Sequence, residues 1–175
     1  MPPPWKTHGT GRFRRQELGS VGSGVVIEET ALIFNSSYVR LGKDVYVGHR
    51  AMLKGDTRNE LVIGDGSWIG EDCYLHSAGG IRIGRDVGLA PRAMILTSSH
   101  AETPPGTPIM HGALEFAGVV IGDGSDVGLG AILLPGAHLG DGVLVGAGAV
   151  VKGEFPDYSV IAGVPARVLR TRSPT

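Results

Sequence analysis

Cysteine is almost missing from this sequence: Cys73 is the only one in 175 residues. An intrachain disulfide is therefore excluded, and so is a cysteine-based zinc site. Long apolar runs are missing too. None approaches the roughly 20 residues of a membrane span, and "MPPPWKTHGTGRFRRQ" holds no apolar core of a secretory leader. An excess of charge is also lacking, with 16 Lys+Arg against 17 Asp+Glu and a net charge of −1. With 42% apolar residues, the chain reads as folded rather than disordered, with neither nucleic acid nor membrane as partner. A soluble cytoplasmic protein of one domain is the expectation.

What the chain has in excess is glycine, 29 of 175 residues against an average of roughly 7%. Its cause is a repeat. Large aliphatics recur every sixth residue: Val21, Ile27, Ile33; Leu41, Val47, Leu53; Ile63, Ile69, Leu75; Ile83, Leu89, Ile95. After an interruption they resume with Ile121, Val127, Leu133, Leu139, Val145 and Val151. Four residues past each stands a small or β-branched residue, such as Ala31, Ser37, Ala51, Ser67, Cys73, Ala93, Ser99 or Ala131. Glycine often follows the aliphatic directly, as at Gly42, Gly64, Gly84, Gly122 and Gly140.

Positions i and i+4 share parity, so in extended chain they face the same side. Helical spacing does not fit. A short strand, a sharp turn needing glycine or a small polar residue, and another strand do fit. Three such edges close one triangular coil of 18 residues, and stacked coils pair their backbones at roughly 4.8 Å. The irregular steps support this grouping. Ile33 to Leu41 is eight, Leu53 to Ile63 ten, Leu75 to Ile83 eight, and Ile95 to Ile121 twenty-six. Each falls after a third edge, so all insertions leave one corner of the prism. The predicted fold is an all-β parallel solenoid of about six coils over 21–153. An irregular N-terminal arm (1–20) precedes it, a long loop (97–118) interrupts it, and an extension (154–175) follows.

The six-residue pattern, with "IGDGSWIG", "IGDGSDVGLGAILLPGAHLGDGVLVGAGAVV" and "YSVIAGVPARVLR", resembles the hexapeptide-repeat acyltransferases from about residue 20 to 172. The resemblance implies a left-handed β-helix, against the general preference for right-handed crossovers. It also implies a homotrimer with active sites at subunit interfaces, and acetyl-CoA as acyl donor. "ILTSSH" is similar to the segment that carries the catalytic histidine in the branch of maltose, galactoside and xenobiotic acetyltransferases. A loop as long as 97–118 in a compact domain is usually functional, and in that family it walls the cleft where donor and acceptor meet.

Acyl transfer from a thioester to a hydroxyl needs a base, because a neutral alcohol is a poor nucleophile. Free imidazole titrates near 6.5 and suits this task. By the resemblance His100 is that base, and the acceptor attacks acetyl-CoA directly with no acyl-enzyme. Backbone N–H groups at the coil corners are candidates for the oxyanion. His111 deeper in the loop, and His76, one coil earlier on the corner that carries His100, are candidate acceptor contacts. Glu102 and Glu115 are candidates to orient a histidine or meet an amine. For the donor, the resemblance implies Leu129, Ala147 and Lys152, with Arg167 and Arg170 of "PARVLR" toward the nucleotide phosphates. No metal ligand set is expected.

The chain departs from the branch in places. Asp126 stands where Trp is common, Gly70 and Ala78 fall near the acceptor-binding Asn and Asp of the maltose and galactoside enzymes, and their helical N-terminal segment is replaced by "PPPWKTHGTGRFRRQELGS". These departures point away from maltose and galactosides, toward a sugar or nucleotide-linked sugar of surface-polysaccharide synthesis. Two other readings stay open. One is a non-catalytic solenoid scaffold. The other is a gamma-class carbonic anhydrase, which needs two histidines five positions apart; five beyond His111 is Phe116.

Overall fold

A computed structural model describes residues 6–173; residues 1–5 of the arm and 174–175 of the extension lie outside the described residues. The chain winds into a left-handed parallel β-helix of about seven turns. Its first face stacks seven short strands, from Ser20–Val21 through Leu61–Ile63 and Val119–Ile121 to Glu154–Phe155. The second face stacks seven more, from Val26–Ile27 to Ser159–Gly163, and is closed by Ala166–Thr171 pairing antiparallel to the last. The third face has six, from Leu32–Phe34 to Val150–Val151. Six coils are complete, and the seventh supplies two faces.

The core follows from the hexad. On the third face Ile33, Leu53, Leu75, Ile95, Leu133 and Val151 point inward and are at most 2% exposed. Each such side chain contributes about 1.5–3 kcal/mol by leaving water. Ala31, Ala51, Cys73, Ala93, Ala131 and Ala149 fill the space at the turns before them, all buried. Ser67 and Ser125 also point inward, and each hydroxyl is satisfied. Ser67 Oγ donates to Gly84 O (2.9 Å) and accepts the Val87 N–H (3.1 Å), and Ser125 does the same with Gly140 O and Val143. Burial drives the Cys73 thiol up to about 11, so it packs as a small apolar group and is no nucleophile.

The glycines have a different cause from the one the repeat suggests. Those directly after the aliphatics are not at the left-handed turn positions. They sit where the next coil passes closest: a Cβ on Gly64 would lie 2.4 Å from Gly84 O, and one on Gly122 would lie 2.4 Å from the Gly140 backbone. The left-handed positions come later in the turn and accept Asp44, Asp86 and Arg92 as well as Gly66 and Gly124. Ser37 and Ser99, placed inward by the hexad, are exposed, because both stand just beyond a third face where the chain leaves the coil.

At the corner between the first and second faces, aspartates tie four of the coils to the one before. Asp65, Asp123, Asp141 and Asp157 each accept, through Oδ1, the backbone N–H of the stacked residue: Lys43, Arg85, Asp123 and Asp141, at 2.7–2.9 Å. The Arg85 N–H, then its guanidinium, hold the Asp123 carboxyl below its usual range. The excursions of the chain all leave between the third and first faces, as the phase of the insertions requires. They are the single-turn helix Ser36–Tyr38, the segment 55–60, the turn 77–80 and the long insertion.

Candidate active site

The long insertion is a β-hairpin. Ser98–His100 pairs antiparallel with Leu114–Phe116, placing His100 opposite Leu114 and Ser99 opposite Glu115. Ala101 N–H to Ala113 O (2.8 Å) and Ala117 N–H to Thr97 O (3.0 Å) extend the ladder at both ends. The tip holds the single-turn helix Ile109–His111, entered through Pro108. His111 and Glu102 lie on this distal half, both exposed.

The root of the hairpin is locked to the coils by Thr97, a residue that sequence reasoning missed. Thr97 is fully buried. Its hydroxyl donates to His76 O (2.7 Å) and accepts the Gly79 N–H (2.8 Å). Gly79 is required there, because a Cβ would lie 2.5 Å from Thr97 O. The available signal was position: Thr97 stands two residues past Ile95, the last aliphatic of the repeat before the insertion. A second missed contact is Arg58, from the 55–60 segment, whose guanidinium lies 4.9 Å from the centre of the Phe116 ring.

His100 is exposed, and its Nδ1 lies 3.1 Å from Gly112 O. A carbonyl oxygen only accepts, so Nδ1 carries the hydrogen and Nε2 keeps its lone pair. Gly112, just after the single-turn helix at the tip, thus sets the tautomer of the neutral ring. Among the described residues no hydrogen bond joins His100 to His76, His111 or Glu102.

His76 ends the third-face strand Tyr74–His76, in register with Leu96, the last residue before Thr97. It is half-buried, with the Tyr74 ring edge-on at 6.4 Å. Burial, then the nearby Lys54 ammonium, lower its pKa below the ordinary histidine value, which favours the neutral form.

The residues assigned to the donor fall on the last three coils. Leu129 and Ala147 stack at the corner between the second and third faces, where Gly148 N–H donates to Leu129 O (2.9 Å), and both are exposed. Lys152 stands at the far end of the third face. With Ser99, Glu115, Phe116, Ala117, Leu134 and Pro135 it lines a cleft of about 510 Å³ between the hairpin root and the coils. Arg167 and Arg170 lie exposed on Ala166–Thr171, their guanidiniums touching only backbone carbonyls nearby. No group of three or more His, Cys, Asp or Glu arranged to hold a metal occurs among the described residues, and no described helix is long and apolar enough to cross a membrane.

The sequence matches the family profile described as the hexapeptide repeat of succinyl-transferase, over residues 60–90 and 118–152. These two stretches of the chain carry the hexapeptide repeat. Among solved structures, the chain is similar to a maltose O-acetyltransferase from Clostridium difficile 630, with 28% identity, TM-score 0.66, and coverage of 91% of this chain and 73% of that one. It is also similar to a variant of AntD, an N-acyltransferase from Bacillus cereus crystallised with dTDP and coenzyme A. There the identity is 25%, the TM-score 0.80, and the coverage 89% and 85%. A hexapeptide transferase family protein from Anaplasma phagocytophilum shares the fold at 20% identity and TM-score 0.62, covering 90% of this chain and 86% of that one. No curated protein sequence matches the chain at the same stringency.

The depressed His76 pKa has a consequence for stability. The unfolded chain, with an ordinary histidine, binds the proton first as pH falls through about 6.5. Stability associated with neutral His76 is therefore present above that pH and declines as pH drops through the window between about 6.5 and the lower folded value. We expect the His76 ring signals to titrate below 6.5 by NMR, and urea midpoints between pH 7.5 and 5.5 to fall less steeply in His76→Gln. A midpoint above 6.5, or an unchanged slope, contradicts this.

Proposed function

We propose that this protein is an acyltransferase that moves an acetyl group from acetyl-CoA to a hydroxyl or amino group of a sugar or nucleotide-linked sugar, with His100 as general base and no covalent enzyme intermediate. The observation that carries this reading is the His100 Nδ1 contact with Gly112 O. It leaves Nε2 of the neutral, solvent-exposed ring as an acceptor, able to take the acceptor's proton as the new bond to the acyl carbon forms. The proton passes to Nε2, the tetrahedral intermediate collapses, and the coenzyme thiolate leaves. Because Nδ1–H remains on its carbonyl, the imidazolium that forms keeps a hydrogen-bond partner for its second proton.

The donor side is supported by position. Leu129, Ala147 and Lys152 all lie on coils beyond the hairpin, and the Lys152 cleft reaches the same hairpin strands that carry His100 and Leu114. Arg167 and Arg170 supply cations at the end of the solenoid, suited to the nucleotide phosphates of the coenzyme. The similarity to a maltose O-acetyltransferase, and to an N-acyltransferase bound to dTDP and coenzyme A, supports a sugar-type acceptor and leaves both oxygen and nitrogen chemistry in the proposal. His111 and Glu102, exposed on the distal half of the hairpin, and His76 at its root are the proposed contacts to that acceptor.

The proposed assembly is a homotrimer with sites between subunits. The outward side of the third face is an apolar ladder of Leu32, Met52, Tyr74, Met94, Ile132 and Val150. The hairpin adds Ile109, Met110, Leu114 and Phe116, all exposed, to Met94 and Leu96. A half-buried apolar ladder flanked by exposed apolar side chains supports an interface on this side, with a neighbouring subunit beside the hairpin in the proposed trimer.

Two outcomes follow. His100→Ala should lower kcat about 10²–10⁴-fold in an assay of coenzyme A release with amino and hydroxyl sugars and their nucleotide-linked forms. Its affinity for acetyl-CoA should stay near that of the native protein; equal turnover in the variant would refute the base assignment. Sedimentation should give a trimer for the native chain and a smaller species for Met94→Asp. A native monomer would refute the assembly.

A further inference from the structure

The hairpin divides its corner of the prism into two sides. On one side are Leu134, Pro135 and Lys152 of the cleft described above. On the other the column runs back from Leu96 through His76 to Lys54, each the register partner of the next. Basic side chains gather on this second side. Lys54 is adjacent to His76 by register, Arg58 comes from the 55–60 excursion, and His8 comes from the N-terminal arm. All three lie close enough to act electrostatically on the His76 ring.

These groups are held in place. The Lys54 ammonium sits over the Phe34 ring at 5.7 Å from its centre. Arg58 lies against Phe116 of the hairpin, and its Nη1 donates to Asp56 Oδ1 at 3.1 Å, which leaves Nε and Nη2 unengaged. The arm that brings His8 is docked, since the Ile33 N–H donates to Gly11 O (2.8 Å) and Gly11 abuts Phe34. Asp56 is the one carboxylate among the groups acting on His76, and it faces Arg58. Lys54 has no carboxylate within 4.0 Å among the described residues.

Like charges converging on a half-buried, neutral histidine repel one another, and a neutral sugar gives them nothing. An anion does. We propose that the acceptor carries a phosphate group, bound by Lys54 and Arg58 with His8 at the rim, on the side of the hairpin opposite the donor cleft. This rests on the acyl-transfer reading above and deepens it. A phosphate meets Lys54 as a point charge and the free edge of Arg58 through directed hydrogen bonds. The rest of the acceptor then extends past His76 toward the hairpin.

The test is calorimetric titration of the full chain with three probes, glucose 1-phosphate, UDP-glucose and methyl glucoside, after its coenzyme A affinity has been measured without sugar. Three proteins are compared: native, Lys54→Gln with Arg58→Gln, and the charge-preserving Lys54→Arg. Both phosphate-bearing sugars should bind the native protein more tightly than methyl glucoside. The double variant should lose roughly tenfold or more, the worth of one or two charge-assisted hydrogen bonds. Lys54→Arg should stay close to native, and coenzyme A affinity should be alike in all three. Equal affinity for the two phosphate-bearing probes would assign recognition to the phosphate alone, and tighter UDP-glucose binding would add a contact to the nucleoside; either supports the proposal. It is overturned if methyl glucoside binds as well as they do, if neither binds, or if the double variant loses nothing. It is also overturned if the double variant loses coenzyme A instead, because the cations would then serve the donor. A native protein that binds the phosphate-bearing sugars and no coenzyme A would overturn the acyl-transfer reading instead.

Discussion

Everything in this molecule depends on how closely one coil approaches the next. Gly42 and Gly122 admit the neighbouring coil into the space where a Cβ would stand, and the aspartate of that coil, Asp65 or Asp141, accepts the N–H just after the glycine. Coils tied in this way are fixed in height and register against one another. Large inward aliphatics stack on aliphatics and small residues on small, so the core has little freedom to slip. A stack of this kind is stiff along its axis and monotonous in its chemistry. It offers ordered edges and almost no reactive groups, its single thiol included.

Chemistry therefore has to come from where the stacking is interrupted. All the excursions leave one corner, and the longest is a hairpin whose root is tied by Thr97 to the coil below through His76 O and the Gly79 N–H. Rigid coils and an anchored hairpin together give His100 a defined direction. The carbonyl of Gly112 does the rest by deciding which ring nitrogen is protonated. Catalytic groups on loops depend on such support from the scaffold. Here the supporting contacts are few, local, and mostly to backbone atoms.

The fold was legible because its cause is periodic. Ile63, Ile69 and Leu75 recur at six-residue steps, and each is buried; the phase of the insertions is enough to locate the corner they leave from. Legibility ended where the period did. Ser37 and Ser99 keep the spacing yet face solvent, since the chain has already left the coil. The pairing of Ser98–His100 with Leu114–Phe116 left no alternation to read, because that hairpin is exposed on both sides and its turn is built around prolines. The glycines were visible but their reason was not: close approach between coils is a property of two segments about 18–22 residues apart. His100 was reachable through the resemblance of "ILTSSH" to a known segment. The contact to Gly112 that orients it, the Thr97 lock and the Arg58–Phe116 stack arise only when three excursions converge at one corner.

The central claim is that the coils are scaffold and the hairpin makes the site. The most direct measurement replaces residues 98–117 with a short Gly-containing link that keeps Thr97 and Gly118, then follows both thermal unfolding and coenzyme A release. The account predicts a cooperative β-sheet unfolding transition that survives, and acyl transfer that is lost. Turnover that persists without the hairpin, or a solenoid that no longer folds cooperatively, would contradict it.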